Sequence, residues 1–510
     1  MNKKDLSLAA LSGVLLALAF PMFDIELLAW IALVPLLFSI NGKNPLQSIY
    51  LGITAGLVFN LILLYWIPVP ITIYGKLPLP AGIVLLLLLA SYLSLYTATL
   101  AFLVTFFRTR MGIPLVLSAP VVWVSLELLI TYFLTGFPWG VLGYSQYLNL
   151  PVIQIADVTG VYGISFLIVV VNAGIYRVIE RYMEGLSFRH GRSIWVALFV
   201  LLTAIGYGYW RLGSLGIRNP QSAIRIGIVQ GNIDQDQKWD TEYQRETVDA
   251  YLALSRKVSE GGVDLIIWPE TAVPLYFQMD ETYKPEILKA AKEMKSYILF
   301  GSPAYEKDFD AVRYYNSAFM ISPDMKVVGR YDKMHLVPFG EYVPLKKLLF
   351  FVDKLAEGIG DFSTGDGIKT LKMSDAEVGT IICYEGIFPN LSRKIVKEGA
   401  NLFVNITNDA WFGRTSAPFQ HLSMYSLRAV ENRVPVVRAA NTGVSAFIDE
   451  RGVVTSSTGI FERGYLKAQV YVSGSKSFYT RFGDLFAYVC AIATLVLLTV
   501  AVKIVPKGSK

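Results

Sequence analysis

Long apolar stretches dominate both ends of the chain, and an ordinary mixture of apolar and polar positions fills the part between them. Eight runs approach or exceed the length that crosses a bilayer: 6–23, 25–40, 48–67, 81–106, 113–134, 153–178, 193–209 and 482–505. A spanning helix takes about 20 residues. The first two runs are short and separated by a tight Pro/Asp turn, so a steep hairpin is expected there. The first is not read as a signal peptide, because no small-residue cleavage site with a polar mature start follows it. Between 221 and 480 the pattern changes to short strands and amphipathic helices. Strands are expected at 224–230, 263–268, 297–302, 318–322, 327–331, 378–383, 402–407 and 436–440. Helices are expected at 243–258, where Val248, Tyr251, Leu252 and Leu254 have helical spacing, and at 283–294. Strands alternating with helices predict an α/β domain. The expected organisation is therefore 1–220 with seven transmembrane helices, 221–475 as the α/β domain, and 476–510 with the eighth helix and a tail.

Composition agrees. At 510 residues, 54% hydrophobic and with a mean hydropathy of +0.46, the chain carries more apolar surface than a soluble protein of this size can bury. The formal net charge of +6 does not mark a nucleic-acid binder, since no basic stripe with interleaved aromatics is present. The charge collects instead at alternate ends of the apolar runs. Lys3 and Lys4 lie at the N-terminus, and Lys43, then Arg108 and Arg110, lie in the second and fourth loops. Arg177, Arg181, Arg189 and Arg192 follow in the sixth, and Lys503, Lys507 and Lys510 in the tail. The positive-inside rule then puts both termini in the cytoplasm and the α/β domain outside it, on the periplasmic side in a bacterium.

Only two cysteines occur. Cys490 lies within an apolar run and Cys383 in the α/β domain, so a disulfide between them is not expected. A solitary cysteine is either a small buried hydrophobe or a nucleophile. Three expected strand ends bear on the choice. Strand 263–268 runs into Pro269-Glu270, strand 327–331 into Asp332-Lys333, and strand 378–382 into Cys383-Tyr384-Glu385. In α/β folds such ends converge on one face, where ligands bind. Singly, each has an ordinary structural reading: a solvated loop acid, a surface lysine, a core cysteine. Together they can bring a carboxylate, an ammonium and a thiol to one point.

Trp268-Pro269-Glu270, Tyr331-Asp332-Lys333 with His335, and Cys383-Tyr384-Glu385 resemble the Glu-Lys-Cys triad of the nitrilase (carbon–nitrogen hydrolase) superfamily. Pro338-Phe339-Gly340-Glu341-Tyr342-Val343-Pro344 resembles the segment that carries that superfamily's second glutamate. With the apolar runs, and with Gly136–Gly140, Gln230–Asn232, Lys238-Trp239, Asn408–Gly413 and Arg438–Gly443, nearly the whole chain is similar to the apolipoprotein N-acyltransferase family. The resemblance implies eight transmembrane helices and an αββα nitrilase-like sandwich. It implies transfer of the sn-1 acyl chain of a phospholipid to the N-terminal amine of a diacylglyceryl-cysteine apolipoprotein.

On that resemblance Cys383 is the nucleophile that carries the acyl group as a thioester, and Glu270 is the general base and acid. Lys333, with the backbone N–H after Cys383, stabilises the oxyanion, and Glu341 holds Lys333 or the thiol. Tyr384, Glu385, Trp239, Trp411 and Phe412 are expected to support the site or line the acyl pocket. No metal or nucleotide is called for, and a monomer is expected. The apolar, lysine-bearing stretch 345–355 reads as an interfacial arm over the site or as a short core helix. Two rival functions stand beside the acyltransferase. One is a membrane-tethered amidase or nitrilase acting on small amides. The other is a transporter or sensor with a degenerate domain, which the scarcity of embedded charges beyond Glu127 and Asp157 opposes.

Overall fold

The computed structural model describes residues 2–187, 192–215, 223–235, 241–308, 311–343, 362–374, 376–472, 474 and 476–504. Trp239, the 345–355 arm, Arg189, Lys507 and Lys510 lie outside the described residues. The chain divides into two compact units. One comprises Met1–Pro68, Leu79–Ser214 and Phe482–Lys510, and the other Val69–Pro78 and Leu215–Arg481.

The first unit is helical. Six described helices are long and apolar enough to cross a membrane: Pro45–Leu63, Leu79–Met111, Leu115–Tyr132, Val161–Met183, Ser193–Ser214 and Leu485–Lys503. The first expected span is a helix of 16 residues, Lys3–Leu18, opened by a capping box between Asn2 and Asp5. The second is divided into a 3-10 turn, Glu26–Trp30, and a short helix, Val34–Ser39. The run expected at 153–178 is also interrupted. Gly160 adopts φ +65° and separates the short helix Ala156–Thr159 from Val161–Met183. An unbroken apolar run conceals such breaks, because every position scores alike whichever way the backbone turns.

Close packing holds these helices together. A Cβ added to Gly52 would lie 2.6 Å from Ala98 Cα, and one added to Gly56 would lie 2.8 Å from Ser94 Cα. Pro45–Leu63 and Leu79–Met111 therefore touch along a small-residue seam. In lipid this contact is what associates helices, since apolar side chains gain nothing by leaving hydrocarbon for one another. The buried carboxylates are met by donors. Glu127 accepts from Trp123 Nε1 at 2.8 Å and from the Leu142 N–H at 2.7 Å. Asp157 accepts from Tyr207 Oη at 2.7 Å and Arg211 Nε at 2.9 Å.

The second unit contains β1 (Ala223–Gln230), β2 (Leu265–Ile267), β3 (Tyr297–Asp308), β4 (Ala311–Ile321), β5 (Val327–Asp332) and β6 (Thr370–Met373). It continues with β7 (Ala376–Ile382), β8 (Leu402–Thr407), β9 (Val436–Ala440), β10 (Ala446–Ile448), β11 (Val454–Ser457) and β12 (Gly464–Tyr471). They form two six-stranded sheets, ordered β12-β1-β2-β3-β4-β5 and β11-β10-β9-β8-β7-β6. Each sheet has a parallel centre, β1-β2-β3 and β7-β8-β9, with antiparallel strands outside it. Helices Thr241–Ser259 and Tyr283–Met294 cover the first sheet through Val248, Tyr251 and Ile287 against Ile266, Trp268 and Phe300. Helices Pro389–Lys397 and Ala417–Asn432 cover the second through Ile395, Tyr425 and Ala429 against Ile381, Phe403 and Val436. The remaining faces meet, β1 beside β9 and β4 beside β7, giving the expected αββα layers.

Strands β3 and β4 run longer than expected, and β6, β10, β11 and β12 were not anticipated. Helix Ala417–Asn432 was not anticipated either. Nearly every described position in it is buried, including Gln420, His421, Arg428 and Glu431, so no polar face marks its period.

The small-residue seam can be tested. Gly56→Leu is expected to lower the melting temperature of the detergent-solubilised protein, since overpacking typically costs about 1–3 kcal/mol. Gly206→Ala adds a Cβ that meets nothing within 4 Å and is expected to leave it nearly unchanged. Equal stability of the two variants refutes the seam.

Candidate active site

Each chemical residue stands just beyond a strand whose last residues are buried. The β2 segment is buried throughout and delivers Trp268, Pro269 and then Glu270, which is 6% exposed. Trp268 is itself fixed, stacked on Tyr251 and donating from Nε1 to Ser255 at 2.7 Å. Lys333 follows β5 at 1% exposure, its N–H bonded to the Asn316 carbonyl at 2.9 Å. Cys383 follows β7 with φ +51°, a left-handed conformation that a non-glycine residue rarely adopts. The chain turns there from strand into the 3-10 turn Cys383–Ile387.

The charges interlock. Lys333 Nζ lies 3.0 Å from Glu341 Oε1 and 3.6 Å from Glu270 Oε1. Asn316, on β4, donates from Nδ2 to the same two carboxylates at 2.8 Å each. An amide nitrogen has two hydrogens, so one side chain can serve both acids. The second oxygen of Glu270 accepts from the Asn408 N–H at 3.0 Å, and that of Glu341 from the Val337 N–H at 2.8 Å. Burial works against the Lys333 ammonium, but Glu341 and Glu270 more than offset it and raise its pKa above the usual lysine value. The Cys383 thiol is pushed up to about 12, first by burial and then by the Glu270 carboxylate, with Lys333 opposing. Cys383 is therefore held as a neutral thiol in the field of the Glu270 carboxylate.

Glu385 does different work. Its Oε1 accepts from Tyr331 Oη at 2.9 Å and from the N–H groups of Met334 and His335 at 2.6 and 3.1 Å. Its Oε2 accepts from the Ile382 N–H at 2.7 Å. One carboxylate thus ties the chain leaving β5 to the chain leaving β7. Burial pushes its pKa up to about 7 against the Ile382 N–H and Lys333. Tyr384 is buried beside Phe388, with ring centroids 5.3 Å apart. Trp411 meets Tyr74 edge-on at 4.9 Å, and Tyr74 Oη donates to the Ala410 carbonyl at 2.9 Å. Phe412 meets His421 edge-on at 6.4 Å.

Sequence reasoning missed Asn316, whose signal is the one amide side chain in β4, directly after Tyr314 and Tyr315. It also missed the buried cluster behind the thiol. There Arg438 donates to Asp409 at 2.5 Å and to Asn405 at 2.7 Å. Burial opposes the Asp409 charge, yet Arg438 and His421 hold its pKa down at about 2.

The αββα unit has the fold of the carbon–nitrogen hydrolases. A family model described as carbon-nitrogen hydrolase matches residues 225–478. A second, described as the apolipoprotein N-acyltransferase N-terminal domain, matches residues 12–174. An apolipoprotein N-acyltransferase of Geobacter metallireducens is 48% identical over 98% of this chain and 95% of its own length. One from Pasteurella multocida is 31% identical over 98% of this chain and 96% of its own. Among solved structures, the nitrilase-superfamily member Nit3 of Saccharomyces cerevisiae aligns with a TM-score of 0.39 at 19% identity, covering 49% of this chain and 90% of that one. The chain belongs to the apolipoprotein N-acyltransferase family.

The thiol's environment sets its alkylation profile. In a Cys490→Ala background, carboxamidomethylation of Cys383 by iodoacetamide is expected to rise about tenfold per pH unit from pH 7 to 9 without levelling, because only the thiolate reacts. Glu270→Gln removes the nearby anion, lowers the thiol pKa and shifts the profile to lower pH. Peptide mass spectrometry reads both. A plateau by pH 9 in the unsubstituted site, or no shift on Glu270→Gln, contradicts this account.

Proposed function

We propose that the protein transfers the sn-1 acyl chain of a phospholipid to the N-terminal amine of a diacylglyceryl-cysteine apolipoprotein, by way of a thioester on Cys383. The observation that carries this reading is the meeting of Glu270, Lys333 and Cys383 in a buried site of a chain from this family. Glu270 takes the thiol proton as Sγ attacks the sn-1 ester carbonyl. Lys333 and the Tyr384 N–H stabilise the oxyanion, which collapses as the carbon–oxygen ester bond breaks. Glu270 returns its proton to the departing lysophospholipid alkoxide. It then takes a proton from the incoming ammonium, and the amine attacks the thioester. Glu270 passes that proton to the departing thiolate as the amide forms, then takes the nitrogen's second proton and releases it to solvent. Glu341 and Asn316 keep Lys333 and Glu270 aligned, and Glu385 holds the two strand ends in register.

The same reading takes Lys3–Leu18 and the apolar Glu26–Ser39 segment as crossings, which with the six long helices make eight. Both termini then lie in the cytoplasm and the nitrilase-like unit on the periplasmic side of a bacterial inner membrane, in a monomer. Tyr384, Trp411 and Phe412 border the acyl chain.

Incubating the protein with phospholipid alone tests the chemistry by intact mass. One acyl mass is expected on the wild type and on Cys490→Ala, and none on Cys383→Ala. Turnover without an adduct favours an amidase, and an adduct that survives in Cys383→Ala displaces the nucleophile. Sidedness is tested separately with a reporter fused after Lys510, which is expected to register the cytoplasm. An external reporter signal overturns the eight-crossing topology.

A further inference from the structure

The peptide between Cys383 and Tyr384 has two ends that both matter. Its N–H, on the Tyr384 side, is the backbone donor that the thioester reading assigns to the oxyanion. Its carbonyl, on the Cys383 side, accepts from Tyr425 Oη at 2.9 Å. A trans peptide is planar, with its C=O and N–H pointing in opposite directions, so holding one end aims the other. We infer that Tyr425 is a positioning residue for oxyanion stabilisation, its hydroxyl fixing the Cys383 carbonyl so that the Tyr384 N–H points at the reacting carbonyl carbon's oxygen. This rests on the proposed acyl-enzyme.

The surroundings make the tyrosine rigid. Its ring lies under the Arg438 guanidinium, 5.0 Å from the centroid, and 5.4 Å from the His421 ring. Arg438 is in turn fixed by Asp409 and Asn405. A Cβ on Gly386 would lie 2.0 Å from Tyr425 Oη, so only glycine leaves room for the hydroxyl. The Cys383 φ of +51° needs such support, because a left-handed non-glycine residue persists only where its environment overdetermines it. Burial raises the phenol pKa, so Tyr425 stays a donor through the physiological range. Donation to the carbonyl also polarises the amide and strengthens its N–H as a donor.

Infrared difference spectroscopy tests this in the full-length enzyme, using phospholipid labelled with carbon-13 at the sn-1 carbonyl and no acceptor. The wild-type thioester carbonyl band is expected at lowered frequency, as hydrogen bonding requires. Tyr425→Phe keeps the ring but loses the hydroxyl. Its band is expected to move to higher frequency, with acylation slowed about tenfold, KM little changed and the melting temperature close to wild type; complete loss of an oxyanion donor costs about 10²–10³. Gly386→Ala displaces the hydroxyl from the other side and is expected to move the band the same way, which covers failure of Tyr425→Phe to fold. An unshifted band in a folded variant overturns the inference. A wild type that forms no thioester overturns the acyl-enzyme reading instead.

Discussion

A lysine ammonium at 1% exposure keeps its charge in this domain only because two carboxylates stand against it. Removing Lys333 would leave two carboxylates facing each other away from water, and an uncompensated buried charge typically costs about 3–5 kcal/mol. The set can be assembled only if two strand ends and a loop arrive together within a few ångströms. Much of the surrounding structure serves that arrival. Asn316 places one donor group between the two acids, Glu385 ties the ends of β5 and β7, and the Asn408 N–H takes the remaining oxygen of Glu270.

That arrangement also explains why the thiol is protonated at rest. Glu270 and burial both disfavour a thiolate, and Lys333 opposes them without winning. On the proposed mechanism, the nucleophile is therefore generated when a substrate is in place. For a transferase this order has a physical use. A thioester is exposed to water as well as to amine, and a buried, tightly bonded site limits what can approach.

The helical unit meets a different constraint. In hydrocarbon every backbone group must be satisfied internally, so its long segments are helices and its breaks, at Gly160 and between Trp30 and Val34, are short. Association then depends on shape. Gly52 and Gly56 bring two backbones into contact, and the buried acids Glu127 and Asp157 bond to donors on neighbouring segments.

Hydropathy alone determined that this chain has long membrane-compatible segments flanking an α/β domain, because an apolar run of that length has few other stable uses. Strand ends also singled out Glu270, Lys333 and Cys383, since a buried strand is legible from composition and the residue after it is legible from order, whereas Glu341 came only with the resemblance of its segment to the superfamily's. Those signals are local in the chain. Tertiary structure alone decided which donors surround these residues. Asn316 lies mid-strand, Asn408 acts through its backbone, and Tyr425 sits on a helix buried on nearly every side. None has a periodicity that announces its partner. Their roles come from β4 lying beside β5, and from helix Ala417–Asn432 crossing beneath the turn at Cys383. Such pairings join residues far apart in sequence, and a hydrogen bond formed across that separation leaves no pattern along the chain.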